Sequence, residues 1–396
     1  MLNATENKYK GCAAELVAAF YMNAFIILRP LIVSYSYRWS IILPLIVMPL
    51  AMVSVVHRNF KINVLLLGKL FAFICVVTSL FLIDFLLRWN KFTWENYYSF
   101  LIHGAITGFL LANVRRYDQL LKYWTIFSII AGVLYIPDPF NHYSISGGYM
   151  SFGSGMLPAF IATVIVFSHY RIKLIAPLMI VFFVETVVYA NKGATVSAMA
   201  IVAFFIVFNT ENKKKRIKRI MILLILSILL LLFLNTIFEI FNMIAVRLGV
   251  GSYALTDFSK IFRIKELSSF NSRRGIWDQV GEEFRSHWFF GMGIGGFQSK
   301  YNNYAHNFFM DLFITHGVII GGLILWQLFR YVKNTMKFIK YNKELFLFTF
   351  SILLLWFFPS QFSFTYWKLD AFWVFIIVNI YNKTCSHIAN VDPIQG

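Results

Sequence analysis

The strongest constraint on this chain is its succession of apolar runs, each close to the length of a bilayer crossing. A crossing helix needs about 20 mostly apolar residues. Twelve windows fit that need to within several residues: 12–34, 39–56, 62–84, 94–113, 117–137, 150–168, 172–190, 193–209, 219–242, 307–329, 344–358 and 367–381. Lipid offers backbone N–H and C=O groups no partner, so such runs must be helical. They are continuously apolar rather than alternating, which excludes the strands of a membrane barrel. The expected fold is an all-α polytopic membrane protein of about 12 transmembrane helices, residues 1–396 forming a single integral membrane domain. Composition excludes the soluble alternatives. Only 14% of residues are charged and 59% are apolar, where a soluble domain carries about 25% charge. Lys8 and Lys10 precede an apolar stretch like that of a secretory signal, but span after span follows, so an uncleaved first span is expected.

The formal net charge is +18. Nucleic acid is not the expected partner, because no basic stretch is interleaved with aromatics outside the apolar runs. The lipid bilayer is the expected one. With the N-terminus inside, 21 Lys and Arg fall in inner segments against 6 in short outer loops, so both termini are expected in the cytoplasm. The run Lys213–Arg219 reads as a topology anchor. Cys12, Cys75 and Cys385 form no pairing framework. Residues 243–306 make one long extracytoplasmic loop between the ninth and tenth spans, with short amphipathic helices expected inside it. Long loops in compact proteins are usually functional.

Within that loop Ile276, Trp277, Val280, Phe284 and Trp288 recur at helical spacing, with Asp278, Gln279, Glu282 and Glu283 opposite. Ser272 is a candidate cap, which puts Arg273 and Arg274 in the first turn. Cations there oppose the helix dipole. That cost suggests that they are kept for an anionic ligand such as a phosphate; the alternative is pairing with Glu282, Glu283 or lipid phosphate. Arg247, in the same loop, is a further candidate for substrate binding. Gly291-Met-Gly-Ile-Gly-Gly matches a dinucleotide fingerprint in letters, but a helix precedes it and no helix start is expected after it, so it reads as a flexible helix stop. His306 and Asn307 stand at the mouth of the tenth span with Asp311 one turn deeper. An imidazole there can act as a general base or donate to a phosphate, or merely anchor the helix. His316 is expected to pack or bond to a neighbouring helix. Asn191-Lys192-Gly193 makes a tight outer turn, in which Lys192 is either a ligand residue or a snorkelling cation. Gly193 and Ser197 suggest close helix packing. Glu185, an intramembrane carboxylate near the outer end of its span, is a candidate by its cost alone. No metal-binding motif and no Walker sequence is present, so neither metal nor cofactor is expected.

Arg273-x-x-x-Trp277, His287, Gly291-x-Gly293-x-Gly295, and His306-Asn307 followed by Gly317 together resemble the shared domain of bacterial O-antigen polymerases and O-antigen ligases. The resemblance covers residues 273–317 and extends to the layout of spans and long loop. It implies a glycosyltransferase that uses an undecaprenyl-pyrophosphate-linked glycan donor on the outer face of the cytoplasmic membrane. It also implies that His306 is the essential loop histidine, that Arg273 is the loop arginine, and that Lys192 replaces the arginine of a Ser-Arg-Gly turn. Lysine there keeps the charge and loses the two-pronged fork. Trp288 replaces the usual proline after His287, and the glycines after Gly317 are Gly321 and Gly322, one position late for a ligase. These departures favour a polymerase, which joins lipid-linked repeat units and can work with a chain-length regulator. The alternatives are a ligase, which moves the finished chain to lipid A-core, and a polysaccharide or lipid transporter.

Overall fold

The computed structural model describes residues 13–32, 64–208, 268–362 and 365–382, with scattered positions between 214 and 247. The described residues contain no strand. Their helices are α1 (Ala13–Ile32), α2 (Val64–Leu87), α3 (Lys91–Phe100), α4 (Thr107–Ala112), α5 (Tyr117–Tyr135), α6 (Tyr149–Ser168), α7 (Ala176–Tyr189), α8 (Lys192–Phe208), α9 (Ser268–His287), α10 (Gly296–Tyr301), α11 (Phe308–Tyr341), α12 (Lys343–Phe362) and α13 (Asp370–Asn382). The expected span 39–56, much of 219–242, residues 248–267 of the long loop, Cys12 and Cys385 lie outside the described residues.

Among the described residues, five helices are long and apolar enough to cross a membrane: α2, α5 continued to Asn141, α6, α11 and α12. Several of the expected spans are not continuous α-helix. Window 94–113 is divided by a π-helical turn, Leu101–Ile106, between α3 and α4. Window 172–190 opens with a 3-10 turn, Lys173–Ile175, and becomes α-helical at Ala176, where the adjoining proline lies in the first turn. Proline is tolerated there because its missing N–H is one the helix does not use.

The chain divides into two compact units. One comprises Met1–Phe25, Ser36–Trp124 and Asp278–Gly396; the other comprises Ile26–Tyr35 and Thr125–Trp277. In the second unit α6, α7 and α8 pack against one another. Lipid is as apolar as leucine, so close backbone approach rather than apolar burial holds membrane helices together. Small residues supply it. A Cβ on Gly132 of α5 would lie 2.4 Å from the Ala159 Cβ, and one on Gly153 of α6 would lie 2.7 Å from the Asn191 side chain.

In the first unit α11, α12 and α13 pack together, and α13 also meets α4. Phe308, Trp356, Tyr366 and Phe372 form mutual edge-on contacts, with ring centroids 5.2–5.5 Å apart in the Trp356–Phe372, Tyr366–Phe372, Phe308–Trp356 and Phe308–Tyr366 pairs. Such pairs contribute about 0.5–1.5 kcal/mol each. Buried Glu15 accepts the backbone N–H groups of Arg115 and Arg116 at 3.0 and 3.1 Å, before α5 begins.

Helix α11 is bent, and this fixes the surroundings of the candidate site. A straight helix of its 34 residues is about 51 Å long, and α12, with 20 residues, about 30 Å. The two are consecutive, and their far ends are tied by a 3.2 Å hydrogen bond from Asn307 Nδ2 to Gln361 Oε1. The longer helix must therefore fold over. It does so at Gly317, whose φ of 69° and ψ of −178° are not helical. The expected tenth span, 307–329, falls on this helix but is not straight: residues 308–316 form one arm and residues 318–341 the other.

Candidate functional site

Breaking a helix leaves backbone groups without partners. At Gly317 they are supplied by the glycine-rich segment after α9. Met292 N–H donates to Ile314 O at 2.7 Å and Gly293 N–H to Thr315 O at 2.9 Å, while Trp288 O accepts Val318 N–H at 2.8 Å. The approach is too close for side chains. A Cβ on Gly291 would lie 2.3 Å from Thr315 O, and one on Gly317 would lie 2.1 Å from Phe289 O. Gly291, Gly293 and Gly295 all have positive φ. The end of α2 and the start of α3 also hold the segment: Asp84 Oδ2 accepts Ile294 N–H at 2.8 Å, and Asn90 and Thr93 donate to Ile294 O. This segment was expected to be a flexible stop with no helix after it. It is instead a clamped splint, and α10 starts at Gly296. No strand precedes it, so the structural role replaces the nucleotide fingerprint.

His306 lies between α10 and α11 with a left-handed backbone, φ 54°. Its Nε2 is 3.1 Å from Asn303 Oδ1, and its ring centroid is 4.1 Å from that of Tyr304. Asn307 was expected to bind substrate. Here its Oδ1 accepts the N–H groups of Phe309 and Met310, capping α11, and its Nδ2 reaches Gln361. Asp311 is buried and accepts the Thr365 hydroxyl at 2.7 Å. His316 is buried, 2.8 Å from the hydroxyl of Tyr366; the expected bond to a neighbouring helix is made to the 3-10 turn Tyr366–Lys368 that leads into α13. The polar pairs Asn307–Gln361, Asp311–Thr365 and His316–Tyr366 thus line the arm of α11 that runs from its head beside His306 to the bend at Gly317.

Helix α9 begins at Ser268, so Ser272 is not its cap and the arginines fall in the second turn rather than the first. Their argument from unused N–H groups is weakened by that shift. Arg274 is exposed, and the side chain of Arg273 lies outside the described residues. Of the expected apolar face Val280 is buried, whereas Trp288 is past the helix end and half exposed. Glu283, assigned to the polar face, is buried. Lys300 forms an ion pair with it and the Tyr301 hydroxyl donates to it at 2.6 Å. The hydrogen bonds from Lys300 and Tyr301 hold the Glu283 carboxyl below its usual pKa. This ties α9 to α10 and gives Glu283 partners other than the arginines. Arg247 is helical and exposed.

In the other unit Asn191 caps α8, its Oδ1 accepting Ala194 N–H at 2.9 Å, while its Nδ2 reaches Met150 O at 3.3 Å. Lys192 is therefore the first residue of α8, half-buried. Gly193 and Ser197 are buried in the packed contact expected of them. Glu185 was expected within reach of water. It is only 5% exposed, and its Oε2 has no hydrogen-bond partner.

Sequence reasoning identified His306 and Asn307 but missed Asn303, Lys300, Gln361 and Thr365. Asn303 was within its reach, three residues before the histidine. Gln361 and Thr365 are 54 residues from their partners, and no local pattern announces them. Among the described residues no group of three or more His, Cys, Asp or Glu could hold a metal ion.

Residues 177–327 match a family model described as O-Antigen ligase. The match contains Lys192, Arg273, the glycine segment, His306 and Gly317. No curated protein and no solved structure matches the chain.

Proposed function

From its place in the O-antigen ligase and polymerase superfamily, we propose that this membrane protein is a surface-polysaccharide polymerase. It joins undecaprenyl-pyrophosphate-linked repeat units on the outer face of the cytoplasmic membrane. The observation that carries the reading is His306 at the head of the bent α11, inside the segment that matches the family. In this reading the acceptor hydroxyl attacks the anomeric carbon of the donor while the bond to the carrier diphosphate breaks. His306 takes the hydroxyl proton, a contribution of about 10²- to 10⁴-fold. The electron pair leaves on the diphosphate, where negative charge grows in the transition state. Arg273, with Arg274, Lys192 and Arg247 as further cations, stabilises that charge without a metal. The activated carrier supplies the driving force, so no nucleotide is required.

The late glycines and Trp288 favour the polymerase over the ligase. A strain lacking the gene separates the two. Loss of a polymerase leaves single repeat units on the surface lipid, whereas loss of a ligase leaves none. Complementation with His306→Ala, at normal expression, is expected to restore no ladder of chain lengths on a gel. A full ladder from that variant overturns the assignment.

A further inference from the structure

We propose that Asn303 is a positioning residue for His306. It holds the imidazole as the Nε2–H tautomer, so that the lone pair which takes the acceptor's proton lies on Nδ1. The inference rests on the reading of His306 as the proton acceptor.

A side-chain amide can be turned either way, and its orientation must come from its partners. Here a backbone group decides. Tyr304 N–H, which can only donate, is 2.9 Å from Asn303 Oδ1. The amide therefore turns its oxygen, not its nitrogen, toward this side. The same oxygen is 3.1 Å from His306 Nε2. A carbonyl oxygen only accepts, and a bare nitrogen lone pair facing it would repel it, so Nε2 carries the hydrogen. A neutral imidazole has one N–H, which leaves the lone pair on Nδ1. In general the hydrogen bond at one ring nitrogen sets the state of the other.

Three restraints hold this ring: the left-handed backbone at His306, the Asn303 oxygen and the Tyr304 ring. Nδ1 is shielded from solvent, so bulk water does not compete for its lone pair. As the hydroxyl oxygen bonds to the anomeric carbon, its proton passes to Nδ1 and the carbon–oxygen bond to the diphosphate breaks, the pair staying on the diphosphate. The imidazole is then a cation with N–H on both nitrogens. Asn303 Oδ1 still accepts from Nε2 and stabilises that charge, as the third group does in nucleophile–base systems.

The test uses the full-length protein in proteoliposomes with a lipid-linked repeat unit. ¹⁵N solid-state NMR, with the His306 signal assigned by difference against His306→Ala, is expected to show an Nε2–H imidazole. Asn303→Ala is expected to lose this preference and to slow chain extension about 10- to 100-fold, as loss of the hydrogen bond that orients a metal-bound histidine does elsewhere. Asn303→Asp keeps an accepting oxygen and is expected to recover most of the rate. An Nδ1–H signal in the unaltered protein overturns the proposal whatever the variants do. A full rate in Asn303→Ala, with His306→Ala inactive, overturns it and leaves the role of His306 standing. Normal extension by His306→Ala overturns both.

Discussion

At Gly317 a side chain has no room: its Cβ would come within 2.1 Å of a carbonyl oxygen, on a backbone that only glycine adopts readily. Gly317→Ala is expected to destabilise the protein by roughly 3 kcal/mol or more, strain and overlap together. A marked fall in Tm in detergent checks this. Gly322→Ala, five residues on with nothing within 4 Å of its Cβ, is the control and should stay within about 0.5 kcal/mol. Equal behaviour of the two would mean that the splint at the bend is unimportant. Arg273→Lys is expected to lose about 10²-fold in chain extension, because an ammonium cannot replace a two-pronged contact to phosphate; near-normal chain length would count against that role. At this scale the sequence was legible where chemistry is rare. A histidine beside an asparagine at the mouth of an apolar run stands out, as do two arginines before an amphipathic face. Asn303 did not stand out, since its meaning lies in one bond that spacing does not reveal.

The helices themselves were readable because lipid leaves the backbone no other choice. Their interruptions were harder to see. Glycine is common in membrane helices, so Gly317 within 307–329 gave no warning of a corner. The corner follows from the Asn307–Gln361 bond and from three backbone bonds to a segment more than twenty residues earlier. The amphipathic reading of α9 located a helix but exposed Glu283 to water, because Lys300 and Tyr301 come from the next element. That contact has a pH signature. The folded pKa of Glu283 is lowered, so its contribution is fully present above the ordinary glutamate range and is lost as pH falls through the lowered value. Amide hydrogen exchange in α9, measured relative to the intrinsic rate at each pH, should therefore become faster on acidification from about pH 5. In Glu283→Gln it should be fast already at pH 7, and much less sensitive to acid. Equal protection of α9 in both proteins at pH 7 would show that the contact does not hold the helix.

For the molecule as a whole, the order of Arg273, the glycines, His306 and Gly317 pointed to the superfamily that the family match supports. The physical reason is now partly visible. The glycines and Gly317 are one structural device, each making room for the other, and they place a histidine-bearing turn at the head of a bent helix. Which sugars the proposed transfer would use was not legible, because such selection depends on groove shape rather than on residue type. The central claim is transfer from a diphosphate carrier with His306 as the proton acceptor. Its most direct measurement is chain extension by the purified protein in proteoliposomes, given only undecaprenyl-pyrophosphate-linked repeat units and a metal chelator. The account predicts one undecaprenyl pyrophosphate released per unit added, a ladder of lengthening glycans, and neither product from His306→Ala. Lengthening that persists in that variant, or release of carrier without any lengthening in the unaltered protein, would contradict it.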